Sequence, residues 1–131
     1  MTVPESTKYQ VLLVQPNFKI GGNSFTGYWL PYSIGCLWSY ACSFDNIRDN
    51  FEVSGIVYKR EDPDKLVERT KHSNIALFSC YMWNWEWTKV VAQKLKQQNP
   101  DIKIIFGGPQ ITNRPSEENF FQNHPYVDSI S

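Results

Sequence analysis

Residues 102–110, IKIIFGGPQ, decide the fold of this chain. The apolar run IKIIF, with its β-branched and aromatic residues, is typical of a strand that is buried on both faces of a sheet. Gly107 and Gly108 end the strand, and glycine has no Cβ to hinder a sharp turn or a close approach by a ligand. Pro109 cannot continue the ladder because it lacks a backbone N–H. Ligands of open α/β sheets bind outside the carboxyl ends of the strands, so the two glycines mark a candidate binding crevice.

Length and charge indicate one globular domain without a polyanionic partner. The chain has 131 residues, and we expect a single domain over residues 1–131 with a flexible N-terminus at residues 1–7. It carries 13 basic and 13 acidic residues, so it has no net charge. Binding to nucleic acid through phosphates requires a basic face, and binding to an anionic membrane does too. We therefore expect neither a nucleic acid nor a membrane as a partner.

The sequence contains no signal for export. No apolar run is long enough to cross a bilayer, and residues 1–10 lack the basic start and apolar middle of a signal peptide. The three cysteines, Cys36, Cys42 and Cys80, are odd in number and match no zinc or iron–sulfur spacing. We interpret them as buried thiols and predict a cytoplasmic protein.

Apolar runs and helical patterns alternate along the whole chain. Helices are predicted to start at Pro31 and run to about Phe44, at the capping Asp62, after a capping Asn84, and at Pro115. Strands are predicted at residues 8–16, 51–58, 74–80, 102–106 and 126–130. This alternation predicts an α/β fold of the flavodoxin-like (Rossmann-like) type: a five-stranded parallel sheet of order 2-1-3-4-5 with helices on both faces. A chain that ends after strand 5 lacks the helix that would normally follow, so we expect part of one sheet face to be exposed.

In this strand order, the carboxyl ends of strands 1, 3 and 4 lie side by side. The glycine-containing loop at residues 17–29 does not fit a phosphate-binding pattern, and it is expected to fold over the strand ends. The edge is neutral and rich in aromatic residues, which favours a large, flat and weakly charged ligand. The candidate binding residues are Gln15, Pro16, Asn17, Ser79, Cys80, Tyr81, Met82, Trp83, Gly107, Gly108, Pro109 and Gln110.

No catalytic or metal-binding constellation can be drawn at this edge. His72 and His124 each precede a predicted strand, so both are expected at the opposite, amino-terminal edge as solvated loop residues. Neither a Ser-His-Asp arrangement nor a cluster of metal ligands is apparent. The residues therefore favour a binding site over a self-sufficient active site, and we assign no catalytic residue and no metal ligand.

Several segments resemble a known family of cofactor-binding domains. Ser79 and the Gly107-Gly108 pair resemble the serine and paired-glycine elements of cobalamin (vitamin B12)-binding domains. Residues 11–16 (VLLVQP), 30–35 (LPYSIG), 79–84 (SCYMWN) and 106–109 (FGGP) together resemble the N-terminal domain of cobalamin-dependent radical SAM enzymes. The resemblance extends over about residues 8–130.

The resemblance implies cobalamin as the cofactor and a role for several residues. Gly107 and Gly108 would lie against the nucleotide tail or the corrin edge, and a bulky residue at Gly108 would weaken binding while leaving the fold largely intact. Ser79 would hydrogen-bond the displaced base or its linker. Side chains that would bond the corrin amides are Gln15, Asn17 and Gln110.

Two departures from the family pattern qualify these roles. The first loop lacks the Asp-x-His-x-x-Gly motif of other B12 domains, which implies cobalamin bound base-off with no histidine on cobalt. Tyr81, Met82 or Trp83 would then cover the lower face, and such a site suits methyl transfer. The chain also lacks Cys-x-x-x-Cys-x-x-Cys, so the radical SAM barrel, with its S-adenosylmethionine and 4Fe-4S cluster, is absent from it. We expect a module that is not catalytic alone, working with a methyltransferase-type barrel in the same or another chain.

Two other functions remain open at this stage. A flavodoxin-like domain of this kind can bind a flavin or a nucleotide between aromatic loops, although the first loop lacks a Ser/Thr-rich phosphate cradle. The aromatic crevice can also bind a partner protein in a non-enzymatic interaction domain.

Overall fold

A computed structural model describes residues 8–17, 27–111 and 117–131 of the chain. The expectations for residues 1–7, for most of the first loop and for the helix start at Pro115 lie outside these described ranges. All twelve candidate binding residues lie inside them.

The described strands form one parallel sheet in the predicted order β2-β1-β3-β4-β5. Parallel pairing places the carboxyl ends of β1, β3 and β4 next to one another, as the sequence analysis expected. Ser79 and Gly107 are directly paired in the β3–β4 ladder. The strands are β1 (Tyr9–Val14), β2 (Phe51–Val57), β3 (Ile75–Ser79), β4 (Lys103–Gly107) and β5 (Ser129–Ile130).

The described residues between these strands form five helices. Asp62 caps the third helix as predicted, with its carboxylate accepting a hydrogen bond from the Lys65 backbone N–H at 3.1 Å. They are α1 (Tyr32–Ala41), α2 (Asp45–Asn50), α3 (Pro63–Thr70), α4 (Trp85–Gln98) and α5 (Glu117–Asn123).

Two predicted element boundaries were wrong. The first helix ends at Ala41 rather than near Phe44, and after a turn a separate short helix, α2, begins at Asp45. The fifth strand begins at Ser129 rather than near Tyr126. The residues before it continue the turn that follows α5, since the backbone N–H of Val127 donates to the His124 carbonyl at 3.0 Å.

The helices cover both faces of the sheet, but unequally. On one face α3, α4 and α5 bury a large core in which Val91 and Leu95 pack with Phe78 and Phe106. On the other face Ile34 of α1 packs in a small core around β1. Much of β3 and β4 on the α1 side is therefore only partly covered in the part of the chain that the structure describes. None of the helices in that part is long and apolar enough to cross a membrane.

Candidate functional site

An apolar groove of about 440 Å³ opens on the thinly covered face of the sheet. We call it the α1 groove, because Leu37 and Trp38 of α1 form one wall. Ile75, Leu77 and Ile105 form its floor, and they share a face because alternate residues of a strand point the same way. The groove runs from the amino end of β3 to the glycines that end β4.

The carboxyl end of the α1 groove combines a hydroxyl with bare backbone. Ser79 is 5% exposed and lines the groove, and none of the described residues forms a hydrogen bond with its hydroxyl. Opposite it, a Cβ at Gly107 would have Ser131 as its nearest neighbour, at 3.6 Å. The protein itself thus leaves ordinary van der Waals space above Gly107. This end of the groove therefore combines a hydroxyl with a backbone that carries no side chain.

Gly108 has a different role, because the backbone conformation and the neighbouring Cys80 backbone require a glycine at this position. Its φ is +97°, and a Cβ there would lie 2.7 Å from the carbonyl oxygen of Cys80 and 2.9 Å from its nitrogen. The two strand ends approach this closely because the Cys80 N–H donates to the Gly107 carbonyl at 2.7 Å and the Gln110 N–H donates to the Cys80 carbonyl at 3.1 Å. The expectation that a bulky residue at Gly108 spares the fold is therefore wrong, since it would clash with the backbone.

Asn84 ties the strand ends together. It is 1% exposed, and its amide nitrogen donates to the carbonyls of Pro16 at 3.3 Å and Ser79 at 3.1 Å. Its amide oxygen accepts from the Tyr81 backbone N–H at 2.9 Å. The sequence analysis assigned Asn84 only as the cap of α4, but its side chain bonds no amide of that helix. It instead fixes the carboxyl ends of β1 and β3 relative to each other.

Gln15 and Asn17 also use their side chains inside the protein. Gln15 is 4% exposed, and its amide oxygen accepts from the Ile34 backbone N–H at 2.9 Å in the first turn of α1. The amide nitrogen of Asn17 donates to the carbonyls of Trp29 at 3.3 Å and Leu30 at 3.0 Å. These two residues position α1 and the segment before it, so the amide atoms involved are already engaged.

The β3–α4 loop is held at the mouth of the α1 groove. The Tyr81 hydroxyl lies 2.8 Å from the Ser33 hydroxyl at the start of α1, and the Tyr81 ring stacks on Trp83 with 4.5 Å between ring centroids. The Arg60 guanidinium donates a hydrogen bond to the Trp83 carbonyl. Met82, at the tip of the loop, is 81% exposed.

The remaining candidate residues lie away from the α1 groove. Cys80 faces the large core on the opposite side of the sheet, and burial raises its pKa to about 12. Its thiol is therefore protonated and unreactive at neutral pH, although its backbone frames Gly108. The prediction of three buried thiols was wrong for Cys36, which is exposed, and for Cys42, which is only partly buried. Pro109 and Gln110 are exposed at the edge beyond the glycines.

Neither histidine lines the α1 groove. His72 is exposed, as predicted. The prediction of a solvated His124 was wrong, because its ring stacks on Phe120 with 4.5 Å between centroids, and Trp85 and Tyr126 also contact it. Within the described ranges, no three His, Cys, Asp or Glu side chains are grouped to hold a metal ion.

The length of the groove was not predicted from the sequence. The ligand was expected at the carboxyl edge of the sheet, whereas the α1 groove continues down the face between α1 and β4. A signal was present in the sequence, since no charged residue occurs between Lys19 and Asp45. A helix without charges presents apolar or weakly polar side chains on every side, so α1 was a candidate for apolar surfaces on more than one side.

No protein-family model matches this chain. Curated relatives do match it. A cobalamin-dependent radical SAM methyltransferase, TokK of Streptomyces tokunonensis, is 29% identical over 102 residues, which are 78% of this chain and 15% of that protein. A 2-(S-pantetheinyl)-carbapenam-3-carboxylate methyltransferase of Streptantibioticus cattleyicolor is 28% identical over 101 residues, 77% of this chain and 14% of that protein.

Over most of its length the chain is similar to a cobalamin-dependent radical SAM methyltransferase. The resemblance noted from its short segments is thereby confirmed. The chain spans only 15% and 14% of the lengths of these two relatives, so most of each relative has no counterpart in the matched region.

The residues at the carboxyl end of the α1 groove have the chemistry that the base of a cobalamin would need. Cobalamin carries a planar aromatic base on a flexible tail, and Gly107, which has no side chain, lines the groove next to Ser131. The apolar floor suits the faces of such a base, and the Ser79 hydroxyl offers it a hydrogen bond.

Proposed function

We propose that this chain is a cobalamin-binding module that holds the cofactor base-off, with the displaced base in the carboxyl end of the α1 groove. The observation that carries the proposal is the placement of Ser79 beside Gly107 in the β3–β4 ladder, at the end of a largely apolar groove. The similarity to a cobalamin-dependent enzyme supports the same ligand.

The residues at the carboxyl end of the groove would contact the displaced base of the cofactor. Ile105 and Leu77 offer apolar surface to the base below the Ser79–Gly107 pair. The Ser79 hydroxyl can donate a hydrogen bond to a ring nitrogen or accept one from the linker. A base held here would lie away from cobalt, which is the base-off arrangement that we propose.

The corrin ring would then lie over the carboxyl edge of the sheet. Met82 is the most exposed residue of the β3–α4 loop, while Tyr81 and Trp83 stack on each other beside it. This loop would cover the lower face of the corrin, and the described residues place no histidine in the groove. Gln110 is the exposed amide at this edge that remains for the corrin amides.

This chain would bind and orient the cofactor rather than perform chemistry by itself. When bound, cobalamin supplies a cobalt centre that can carry a methyl group. The radical SAM barrel, with its 4Fe-4S cluster and S-adenosylmethionine, would belong to another part of the same chain or to a separate partner, which the length of the relatives supports. The work of the combined enzyme would be a methyl transfer. The three free cysteines of this chain suit the reducing cytoplasm, and we propose the cytoplasm as the compartment of the protein.

Retention of hydroxocobalamin tests the proposal. The purified chain is mixed with the cofactor and desalted, and the corrin that stays with the protein is measured from its visible spectrum. We expect about one corrin per folded chain. A Gly107→Val variant should bind at least about tenfold more weakly, because its side chain fills the space that the base would occupy.

A matched glycine provides the control. Gly35 lies on the exposed side of α1, and a Cβ there meets nothing within 4 Å, so Gly35→Val should bind like the wild type. Thermal unfolding of both variants shows whether the chain is folded. The proposal fails if the folded wild type retains no corrin, or if both variants bind equally well. A purified protein that carries a flavin absorbance band instead would point to the flavin alternative.

A further inference from the structure

Helix α1 differs from the other described helices because it carries no charge. No charged residue occurs between Lys19 and Asp45, whereas each of the other described helices has at least two charged side chains. Ile34 and Trp38, on the sheet side of α1, pack against β1 and line the α1 groove. The opposite side of α1 faces outward, where a surface helix normally presents charged side chains.

The outward side of α1 carries exposed aromatic side chains. Tyr32 is 75% exposed and Tyr40 is 70% exposed, and Cys36 is exposed between them. The Tyr40 ring packs edge-to-face on Phe44, with 5.5 Å between ring centroids, and Phe44 is itself 50% exposed. We call these four side chains the α1 stripe. A contiguous exposed surface of this kind is typical of a contact with another protein.

The order of residues in the α1 stripe is symmetric about Cys36. Tyr32 lies four residues before Cys36 and Tyr40 lies four residues after it, so the three side chains share one face of the helix. If two such helices meet antiparallel across a two-fold axis at Cys36, Tyr32 of each copy faces Tyr40 of the other. Gly35 leaves room beside the axis, since a Cβ there meets nothing within 4 Å. The stripe is therefore complementary to itself, as a symmetric dimer requires.

Charge and area also favour a second copy as the occupant. Two uncharged stripes can meet without removing any charged group from water, whereas contact with a charged helix face would carry that cost. Leu30, just before α1, is 78% exposed and extends the stripe at one end, as Phe44 does at the other. These side chains together offer on the order of 500–600 Å² per copy. A standard interface buries about 800 Å² per partner, so we expect a reversible dimer with a dissociation constant in the micromolar range.

We propose that two copies of this chain associate through the α1 stripe, with their α1 helices antiparallel across a two-fold axis at Cys36. The α1 groove lies on the other side of the helix, so it stays open in both copies. The interface uses no residue that the proposed function gives to the cofactor. It is tested on the cofactor-free chain, and it stands or falls separately from the proposed function.

Sedimentation equilibrium measures the association of the 131-residue chain. Between about 1 and 200 µM, we expect a monomer with an accessible Cys36 at the low end and a dimer at the high end. Tyr40→Glu should weaken the association at least about tenfold, because it places a carboxylate against the Tyr32 ring of the other copy. Val90→Glu, at an exposed apolar position of α4, should leave the association unchanged. Circular dichroism shows that each variant is folded.

Cross-linking with diamide locates the two-fold axis. Packed helices lie about 8–10 Å apart with each Cα about 2.3 Å from its axis, so facing Cys36 residues have Cα atoms about 4–6 Å apart, within reach of a disulfide. The two thiols form one S–S bond, and diamide takes up the two hydrogen atoms that they lose. The control is Cys36→Ser with Ser43→Cys, in which the two thiols would lie about 20 Å apart. Both proteins also carry Cys42→Ser, so that one accessible thiol remains in each.

We expect a disulfide-linked dimer to form at Cys36 at least about tenfold faster than at residue 43. Equal cross-linking at the two sites would overturn the proposed axis. A chain that stays monomeric at about 200 µM, or a dimer that Tyr40→Glu leaves intact, would overturn the interface itself. Monomeric protein that binds vesicles of neutral phosphatidylcholine through Tyr40 would also overturn it, because the stripe would then contact a lipid surface.

Discussion

Replacing Gly108 with alanine tests the close approach of the two central strand ends. The new Cβ would lie 2.7 Å from the Cys80 carbonyl oxygen, and the residue would have to keep a φ of +97°. The left-handed conformation costs a non-glycine residue about 1–2 kcal/mol, and forcing a methyl group into packed backbone costs about 1–3 kcal/mol. Together these effects should lower the free energy of unfolding by about 3 kcal/mol, which corresponds to a Tm lower by about 10 °C.

The neighbouring glycine is the control for this prediction. Gly107 has no positive φ, and its nearest contact for a Cβ is Ser131 at 3.6 Å. Gly107→Ala should therefore change the free energy of unfolding by less than about 1 kcal/mol. Urea unfolding followed by far-UV circular dichroism measures both variants. Equal stability of the two variants would refute the assignment of Gly108 as the residue that the strand-end packing requires.

Three further predictions concern side chains around the sheet. Asn84→Ala should lower the free energy of unfolding by about 2–4 kcal/mol in urea titrations, because buried backbone groups of two strand ends lose their partner; a loss below about 1 kcal/mol would contradict its bridging role. Burial raises the pKa of Asp128, but hydrogen bonds from Lys96 and from the Ile104 backbone N–H lower this pKa by more. The pKa of Asp128 therefore lies below its ordinary value of 3.8. The stabilisation that ionised Asp128 contributes is therefore complete above the pKa of its unfolded state and is lost as the pH falls through the lower pKa of its folded state. In acid, the free energy of unfolding should fall more steeply with pH for the wild type than for Asp128→Asn. Parallel curves of unfolding free energy against pH for the two proteins would refute this. At pH 8, the Cys80 thiol should react with a thiol reagent only after denaturation, whereas exposed Cys36 should react in the folded protein. Reaction of Cys80 in the native state would contradict the burial of this residue.

Local patterns were sufficient to predict the sheet. Buried parallel strands such as β3 and β4 are continuous apolar runs, and the turn and cap residues between them define the alternation with helices. The strand order followed from this alternation. Short elements were harder, because α2 is only six residues long and β5 only two, and neither length provides a measurable period.

The candidate site was only partly predictable for a different reason. Ser79 and Gly107 end neighbouring strands, so their pairing follows from topology. Asn84 looked like a helix cap because its neighbours in sequence are a loop and a helix, while its partner Pro16 is 68 residues away. Gln15 was likewise assigned to the ligand because its tertiary partner, the Ile34 N–H, cannot be read from local sequence. The extent of the α1 groove depends on which sheet face a helix leaves open, and this is a property of packing rather than of pattern.

Electron paramagnetic resonance of bound cob(II)alamin tests the placement of the base most directly. A nitrogen ligand on the lower face of cobalt splits the cobalt lines of this paramagnetic state, and free cob(II)alamin at neutral pH shows the splitting from its own base. With the base in the α1 groove beside Ser79 and Gly107, and no histidine lining the described groove, the splitting should disappear when the cofactor binds. A bound cofactor that keeps the nitrogen splitting, or a folded chain that binds no cofactor, would contradict the proposed site.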